Sequence, residues 1–110
     1  AGLLRNASER EIPLFVNAVV NKVNEKDGKV TGVNVTIDGK EKTIASNAVV
    51  LTTGGFGANM QMVTEYKPEL NGFVTTNQKG STGDGIVLAK EIGAATVDMG
   101  EIQIHPTVEQ

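Results

Sequence analysis

The spacing of hydrophobic residues changes several times along the chain, and each change predicts a different element. Over residues 1–11 the apolar side chains fall on one side of a helix, at Leu3, Leu4 and Ala7. Pro13 ends that helix, because the residue before a proline avoids helical geometry. The apolar run 14–16 then predicts a short buried strand, which makes the beginning of the chain half of an α/β unit.

Alternating apolar and polar residues predict antiparallel strands over 18–47. Two Asp-Gly pairs, Asp27-Gly28 and Asp38-Gly39, interrupt the alternation. Asp-Gly supplies the positive φ angles of a tight hairpin turn. We therefore predict a three-stranded antiparallel meander over 18–47.

The next part, 48–100, changes to an α/β pattern. The apolar run 48–51 predicts a strand buried on both faces, and a second short strand is expected over 95–99. Between them we predict a short helix within 58–70, a polar loop over 71–80 that faces ligand, and a helix from Ile86 that stops at Gly93. The predicted class is α/β (α+β).

The sequence Thr-Thr-Gly-Gly-Phe-Gly at 52–57 follows the first of these predicted strands. Ligands bind at the carboxyl ends of strands in open α/β sheets, so the glycines suit a close approach of backbone to a ligand. They equally suit a tight strand-to-helix turn. No GxGxxG or P-loop sequence is present, so a pyrophosphate would be held elsewhere.

The sequence Thr82-Gly83-Asp84-Gly85 precedes the last predicted helix. Thr82 and Asp84 are both good helix N-caps, which is the simpler interpretation. Alternatively, the carboxylate and the positive end of the helix address a bound polar group, with the glycines removing steric bulk. Capping does not explain the second glycine.

His105 is the only histidine, and a lone histidine usually has no special function. Ile102 and Ile104 alternate with Gln103 and His105, which places the two polar side chains on one side of an extended segment. His105 is therefore a candidate for binding an anionic substrate. Neither a metal site nor a Ser-His-Asp triad is predicted, because the required partner residues are missing at the right spacing.

Composition narrows the classes of partner. The formal net charge is −3 with mixed signs along the chain, which gives no basic patch for nucleic acid. There is no cysteine, so disulfides and thiolate metal sites are excluded, and no apolar run is long enough for a membrane span. The chain begins without Met inside a helical pattern, which suggests a piece of a larger protein.

Taken in order, the motifs resemble the flavoprotein subunit of the fumarate reductase and succinate dehydrogenase family. The likeness is greatest to the soluble periplasmic flavocytochrome c fumarate reductases of the Shewanella type, and it covers essentially all 110 residues. It rests on short segments in the family's order, namely 16–20, the TTGGF turn, TGDG, 92–94, 98–99 and Gln-Ile-His-Pro-Thr at 103–107.

The resemblance implies FAD as cofactor, with contacts from Ala18, Thr53, Gly54, Gly55, Gly83, Asp84 and Gly85. It implies that His105 binds a carboxylate of fumarate or succinate, with Gln103 in support, and that no catalytic residue lies in the chain. Neither arginine, Arg5 or Arg10, matches the family's proton donor. The expected reaction is hydride transfer from reduced flavin to fumarate.

The resemblance also implies an organisation. Residues 1–110 would be an internal fragment of a Rossmann-like FAD-binding domain, with the meander 18–47 inserted, the α/β portion 48–100, and a substrate-site run 101–110. We expect the chain to be inactive without the remainder of the parent flavoprotein, which would be periplasmic and would carry any haem on a separate domain. Another substrate within the family, or a non-catalytic structural module, is the alternative.

Overall fold

The computed structural model describes residues 2–105, and the chain divides into two compact units, Ala1–Ala48 and Val49–Gln110. The predicted substrate-site run 101–110 therefore lies partly outside the described residues, from residue 106 onwards. No helix within residues 2–105 is long and apolar enough to cross a membrane.

The first unit contains a helix and the predicted meander. Helix α1 covers Gly2–Glu9, as the helical spacing predicted. Strands β1 (Ala18–Lys26), β2 (Lys29–Ile37) and β3 (Lys40–Ala45) form an antiparallel sheet in the order β1-β2-β3. Both Asp-Gly pairs have positive φ at each residue, 53° and 77° in the first turn and 50° and 78° in the second. This geometry confirms the hairpin turns.

The two faces of the meander differ in chemistry. Val23 pairs with Val33 across β1 and β2, and Val23 and Val35 are buried, with 2% and 3% of their surface exposed. The opposite face carries a polar ladder in which Asn34 Oδ1 accepts bonds from Asn24 Nδ2 at 2.9 Å and Thr43 Oγ1 at 3.1 Å. The alternation in sequence therefore corresponds to one apolar and one polar face.

The predicted strand 14–16 is wrong. These residues form no strand, and Leu14, Phe15 and Val16 are each more than half exposed. A strand is stable only when its backbone groups pair with a neighbour, and within residues 2–105 the only sheet consists of β1, β2 and β3. The apolar composition of this segment does not specify which strand, if any, would pair with it.

The second unit contains short helices. Helix α2 covers Met60–Tyr66, and a 3₁₀ turn at Pro68–Leu70 follows it, which confirms the predicted helix and its closure by proline. Helix α3 covers Asp84–Glu91, so it starts two residues earlier than predicted. Its end is a Schellman motif at Gly93, where φ is 95° and the Ala94 N–H donates to the Ala89 carbonyl at 3.0 Å.

The predicted strands 48–51 and 95–99 are also wrong for the described residues. Neither segment pairs with a strand, and Val50 and Val97 are 84% and 78% exposed. A strand requires at least one hydrogen-bonded neighbour, and none lies beside these segments in residues 2–105. The buried apolar residues of the second unit come instead from α2, the 3₁₀ turn and α3, at Val63, Leu70 and Leu88.

Candidate functional site

Backbone hydrogen bonds join the glycine turn 52–57 to the start of α3. The Gly83 N–H donates to the Gly55 carbonyl at 3.1 Å, and the Ala58 N–H donates to the Ser81 carbonyl at 2.9 Å. Asn59 adds a side-chain link, because its Nδ2 donates to the Thr82 carbonyl at 2.9 Å while its Oδ1 caps α2. The two glycine-containing motifs, separated in sequence, therefore form one structure.

Gly83 and Gly85 allow this close packing. Gly83 has a φ of 83°, and a Cβ there would lie 2.6 Å from Met62 Sδ and 2.9 Å from Phe56 Cβ. A Cβ on Gly85 would fall on the Thr53 hydroxyl and 3.3 Å from the Thr53 Cβ. Both glycines are buried. Packing against the turn thus explains the second glycine, which capping did not.

The predicted side-chain cap of α3 is absent. The N-cap residue is Gly83, and no side chain caps the helix. Instead, Thr82 Oγ1 donates to Asp84 Oδ1 at 3.0 Å, and Asp84 stays exposed in the first turn. The carboxylate is therefore accessible and oriented by a neighbouring hydroxyl, although it lines none of the cavities described below.

Two concave surfaces meet at Thr53 and Gly54. The first, here called the polar cavity, has a volume of about 550 Å³ and is lined by Thr52, Thr53, Gly54, Thr76, Asn77, Gln78, Gly80 and Ser81. The second, here called the α3 groove, has a volume of about 300 Å³ and runs from Thr53 and Gly54 past Gly85 along one side of α3. Three of the predicted cofactor residues, Thr53, Gly54 and Gly85, thus line one open surface.

The glycine turn leaves this surface free of side-chain bulk. Gly54 has a φ of 76°, and the nearest atom to a Cβ there would be Ser81 Oγ at 3.9 Å. A Cβ on Gly55 would meet nothing within 4 Å. Both residues are exposed, so a ligand has direct access to the backbone of the turn.

Gln103 and His105 line a further cavity of about 270 Å³, here called the histidine cavity. Its apolar wall is formed by α2 and the segment after it, at Met60, Val63, Leu70, Phe73 and Val74. The remaining lining residues are Gly57, Thr75, Thr76, Asn77, Ile102 and Ile104. The two predicted substrate residues therefore share one cavity, with both polar and apolar surface.

Thr76 and Asn77 line the polar cavity and the histidine cavity at once. The predicted cofactor residues Thr53 and Gly54 and the predicted substrate residues Gln103 and His105 thus lie on adjoining cavities of the second unit. Ala18 belongs to the first unit, where it opens β1 opposite Ile37 and is partly buried. Its predicted contact with adenosine stays a prediction.

Sequence reasoning missed Asn77 and Gly57. The loop 71–80 was predicted to face ligand, but nothing in its composition distinguished Asn77 from the other polar residues. The structure places the Asn77 carboxamide directly over Gly57, twenty residues earlier, and bonds its Nδ2 to Thr75 Oγ1 at 3.0 Å. The one sequence signal for this contact is Gly57 itself, a glycine at the end of the glycine-rich turn.

Comparison with known families gives a match over the whole chain. The sequence profile described as an FAD binding domain matches residues 1–110. An NADH:fumarate oxidoreductase of Klebsiella pneumoniae is 50% identical over all of this chain and 12% of its own length. A fumarate reductase (cytochrome) of Shewanella frigidimarina is 40% identical over 96% of this chain and 19% of its own length.

A relative with a different named substrate is also similar. A urocanate reductase of Eggerthella lenta is 38% identical over 79% of this chain and 15% of its own length. The chain thus spans about an eighth to a fifth of the length of the curated relatives that it matches.

Solved structures share the fold. The open conformation of a flavocytochrome c3 fumarate reductase matches with a TM-score of 0.90 and 37% identity, over 96% of this chain and 19% of that one. A 3-ketosteroid delta1-dehydrogenase from Sterolibacterium denitrificans matches with a TM-score of 0.77 and 32% identity, over 88% of this chain and 18% of that one. These likenesses confirm the predicted mixed helix and strand class with its antiparallel meander.

Proposed function

The chain belongs to the family of FAD-binding domains, and from this premise we propose that it is part of a flavin-dependent reductase that converts fumarate to succinate. The expected kinship with the fumarate reductase flavoproteins and the expected cofactor, FAD, are both confirmed by the family match and by the named relatives. Because the chain spans a fraction of their length, activity, substrate and partners belong to the proposal.

One observation carries the proposal. The polar cavity, with Thr53 and Gly54, adjoins the histidine cavity, with Gln103 and His105, through shared lining residues. Hydride transfer requires donor and acceptor atoms to come within about 3 to 3.5 Å. Adjoining cavities within one compact unit support the proposal because they would hold a cofactor and an acceptor side by side.

The residues present fit a flavin cofactor. Gly54 exposes bare backbone in the polar cavity, and Gly55 is the next residue along the turn; their missing Cβ atoms leave open space for a flat ring system or a phosphate. Thr53 offers a hydroxyl beside them, and Gly83 and Gly85 hold α3 against the turn. Asp84 lies exposed in the first turn of α3, where it can accept hydrogen bonds from a cofactor hydroxyl.

The histidine cavity fits a small carboxylic acid. His105 and Gln103 supply hydrogen-bond donors for a carboxylate, while Met60 and Val63 supply apolar surface for the carbon skeleton. Reduced FAD, when bound, supplies the hydride to one alkene carbon. The chain's residues would orient the acid. We propose that the proton for the other carbon comes from outside this chain, because the resemblance implies an arginine as proton donor and neither Arg5 nor Arg10 matches it.

The test is an anaerobic single-turnover experiment on the full-length flavoprotein that carries this segment. Its flavin is reduced with dithionite and mixed with fumarate, urocanate or acrylate, and flavin absorbance is followed. We expect rapid reoxidation by fumarate and slower reoxidation by the others. Reoxidation by none of the three, in a protein that holds stoichiometric FAD, would refute the proposal.

His105→Ala tests the substrate role within the same protein. We expect turnover with fumarate to fall at least about tenfold with FAD content unchanged, because a mispositioned acid rarely reaches the flavin. Glu65→Ala is the matched control, since Glu65 is exposed on α2 and lines neither cavity. Equal turnover of the two variants would remove His105 from the site.

A second candidate keeps the cofactor and changes the acceptor. The similarity to a urocanate reductase favours an acceptor other than fumarate within the same chemistry. Faster reoxidation by urocanate than by fumarate in the experiment above would establish it. A periplasmic location and a separate haem domain, both expected from the resemblance, belong to the fumarate reductase proposal as well.

A further inference from the structure

The boundary between the polar cavity and the histidine cavity consists of two residues, Thr76 and Asn77. Asn77 is exposed, so its side chain has no packing core to hold it in place. Contacts with Thr75 and with Gly57 hold it instead, and the contact with Thr75 consists of two hydrogen bonds. Thr75 Oγ1 accepts bonds from the Asn77 backbone N–H at 3.1 Å and from Nδ2 at 3.0 Å.

The second contact is with Gly57. A Cβ on Gly57 would lie 2.6 Å from Asn77 Cγ and 3.1 Å from Asn77 Oδ1, so the carboxamide occupies the space that any other residue would fill. Gly57 has an ordinary φ, so its glycine is not required by the backbone. The three atoms nearest to a Cβ at this position all belong to the Asn77 carboxamide.

From these contacts we infer that Asn77 is a positioning residue, which lies at the edge of both cavities, orients the acceptor beside the flavin and limits the size of the acceptor. The inference rests on the proposed function, because it takes the polar cavity as the cofactor side and the histidine cavity as the acceptor side. The Asn77 carboxamide, fixed by Thr75 and Gly57, forms the wall against which a small unsaturated acid is held beside the flavin.

Two different substitutions, Asn77→Ala and Gly57→Ala, should each remove the carboxamide from its position over Gly57. Asn77→Ala removes the carboxamide and so leaves more room at the edge of the histidine cavity. Gly57→Ala leaves Asn77 in the chain but forces its carboxamide out, and the displaced group is the end of an exposed side chain, which moves without loss of the fold. Once Asn77 is alanine, the three atoms nearest to a Cβ on Gly57 are gone, so Gly57→Ala no longer has a carboxamide to displace.

The experiment uses the full-length flavoprotein with steady-state kinetics for fumarate and for the bulkier urocanate. For Asn77→Ala and for Gly57→Ala we expect the fumarate KM to rise and kcat/KM to fall at least about tenfold, since small misplacements at a reacting centre are costly. The ratio of urocanate to fumarate kcat/KM should rise at least about fivefold because the histidine cavity without the carboxamide has more room for the larger acid. FAD content should not change.

The double variant provides the decisive comparison. If both substitutions act through one carboxamide, the double variant resembles Asn77→Ala, and the effects do not add. Thr75→Val, which removes the accepting oxygen, should give a smaller change in the same direction. Asn71→Ala is the matched control, since Asn71 is an exposed asparagine of the same loop outside both cavities.

The failures are distinguishable. A wild-type protein that reduces fumarate, together with an Asn77→Ala variant of unchanged KM and unchanged acceptor ratio, overturns this inference and leaves the proposed function standing. Additive effects in the double variant, or a loss of FAD in place of a change in selectivity, also overturn it. A wild-type protein that reduces none of the acceptors overturns the proposed function and this inference together.

Discussion

Gly83→Ala should destabilise the second unit strongly, for two separable reasons. Gly83 has a φ of 83°, and an alanine in the left-handed region costs about 1 to 2 kcal/mol. Its Cβ would also lie 2.6 Å from Met62 Sδ and 2.9 Å from Phe56 Cβ, and overpacking of this kind costs about 1 to 3 kcal/mol. Together these give a loss of about 2 to 5 kcal/mol in the free energy of unfolding.

Gly93 and Gly85 separate the two contributions. Gly93 has a φ of 95° and open space around its Cβ position, so Gly93→Ala should show the backbone strain alone, about 1 to 2 kcal/mol. Gly85 lies inside α3 without a positive φ, so Gly85→Ala should show only the clash with Thr53, reduced by the better helix propensity of alanine. The expected order of destabilisation places Gly83→Ala first.

Tyr66 makes the assay specific to this unit. The chain has one tyrosine and no tryptophan, and the Tyr66 ring lies 5.9 Å from the Phe56 ring, beside the residues that Gly83→Ala would disturb. Urea unfolding followed by tyrosine fluorescence should show a midpoint roughly 1 to 3 M lower for Gly83→Ala. A midpoint no lower than that of Gly93→Ala would refute the role of packing against Met62 and Phe56.

Three further substitutions test the local structure by urea unfolding, circular dichroism or both. Asn59→Ala removes the N-cap of α2 and the bond to the Thr82 carbonyl, and should cost about 1 to 2 kcal/mol by tyrosine fluorescence, with no change contradicting the link. Gly28→Ala should destabilise the meander by about 1 to 2 kcal/mol, whereas Gly28→Asn should retain most of the stability because asparagine tolerates positive φ. Equal losses of stability in the two variants would contradict the turn assignment. Arg5→Ala removes an exposed ion pair with Glu9 and should change the free energy of unfolding by less than about 0.5 kcal/mol. A larger loss that depends on salt concentration would contradict a weak surface ion pair.

Local sequence signals predicted the elements that are stabilised locally. The Asp-Gly pairs predicted both hairpin turns, and Gly93 predicted the end of α3, because each depends on positive φ angles at one or two adjacent residues. The three predicted strands at 14–16, 48–51 and 95–99 failed for the opposite reason. Apolar composition does not specify a pairing partner, and none of the three segments has one within residues 2–105.

In the candidate site, too, some features follow from local sequence and others depend on contacts between residues that are distant in sequence. Gln103 and His105 were predicted to lie together, and they line one cavity. The reason for Gly85 was not predictable, because it depends on the Thr53 side chain, thirty-two residues earlier. Asn77 was missed in the same way, since its importance comes from contact with Gly57 and from a boundary between cavities. The roles of Gly85 and Asn77 depend on contacts between residues that are distant in sequence, and composition does not predict those contacts.

The central claim is that the polar cavity holds the flavin and the histidine cavity holds the acceptor acid. The measurement that tests it most directly is a crystal structure of the full-length flavoprotein with FAD and malonate, a dicarboxylate without a reducible double bond. The flavin should contact Thr53 and Gly54, and a malonate carboxylate should lie within about 3 Å of the His105 side chain. A flavin or malonate bound away from these residues would contradict the claim.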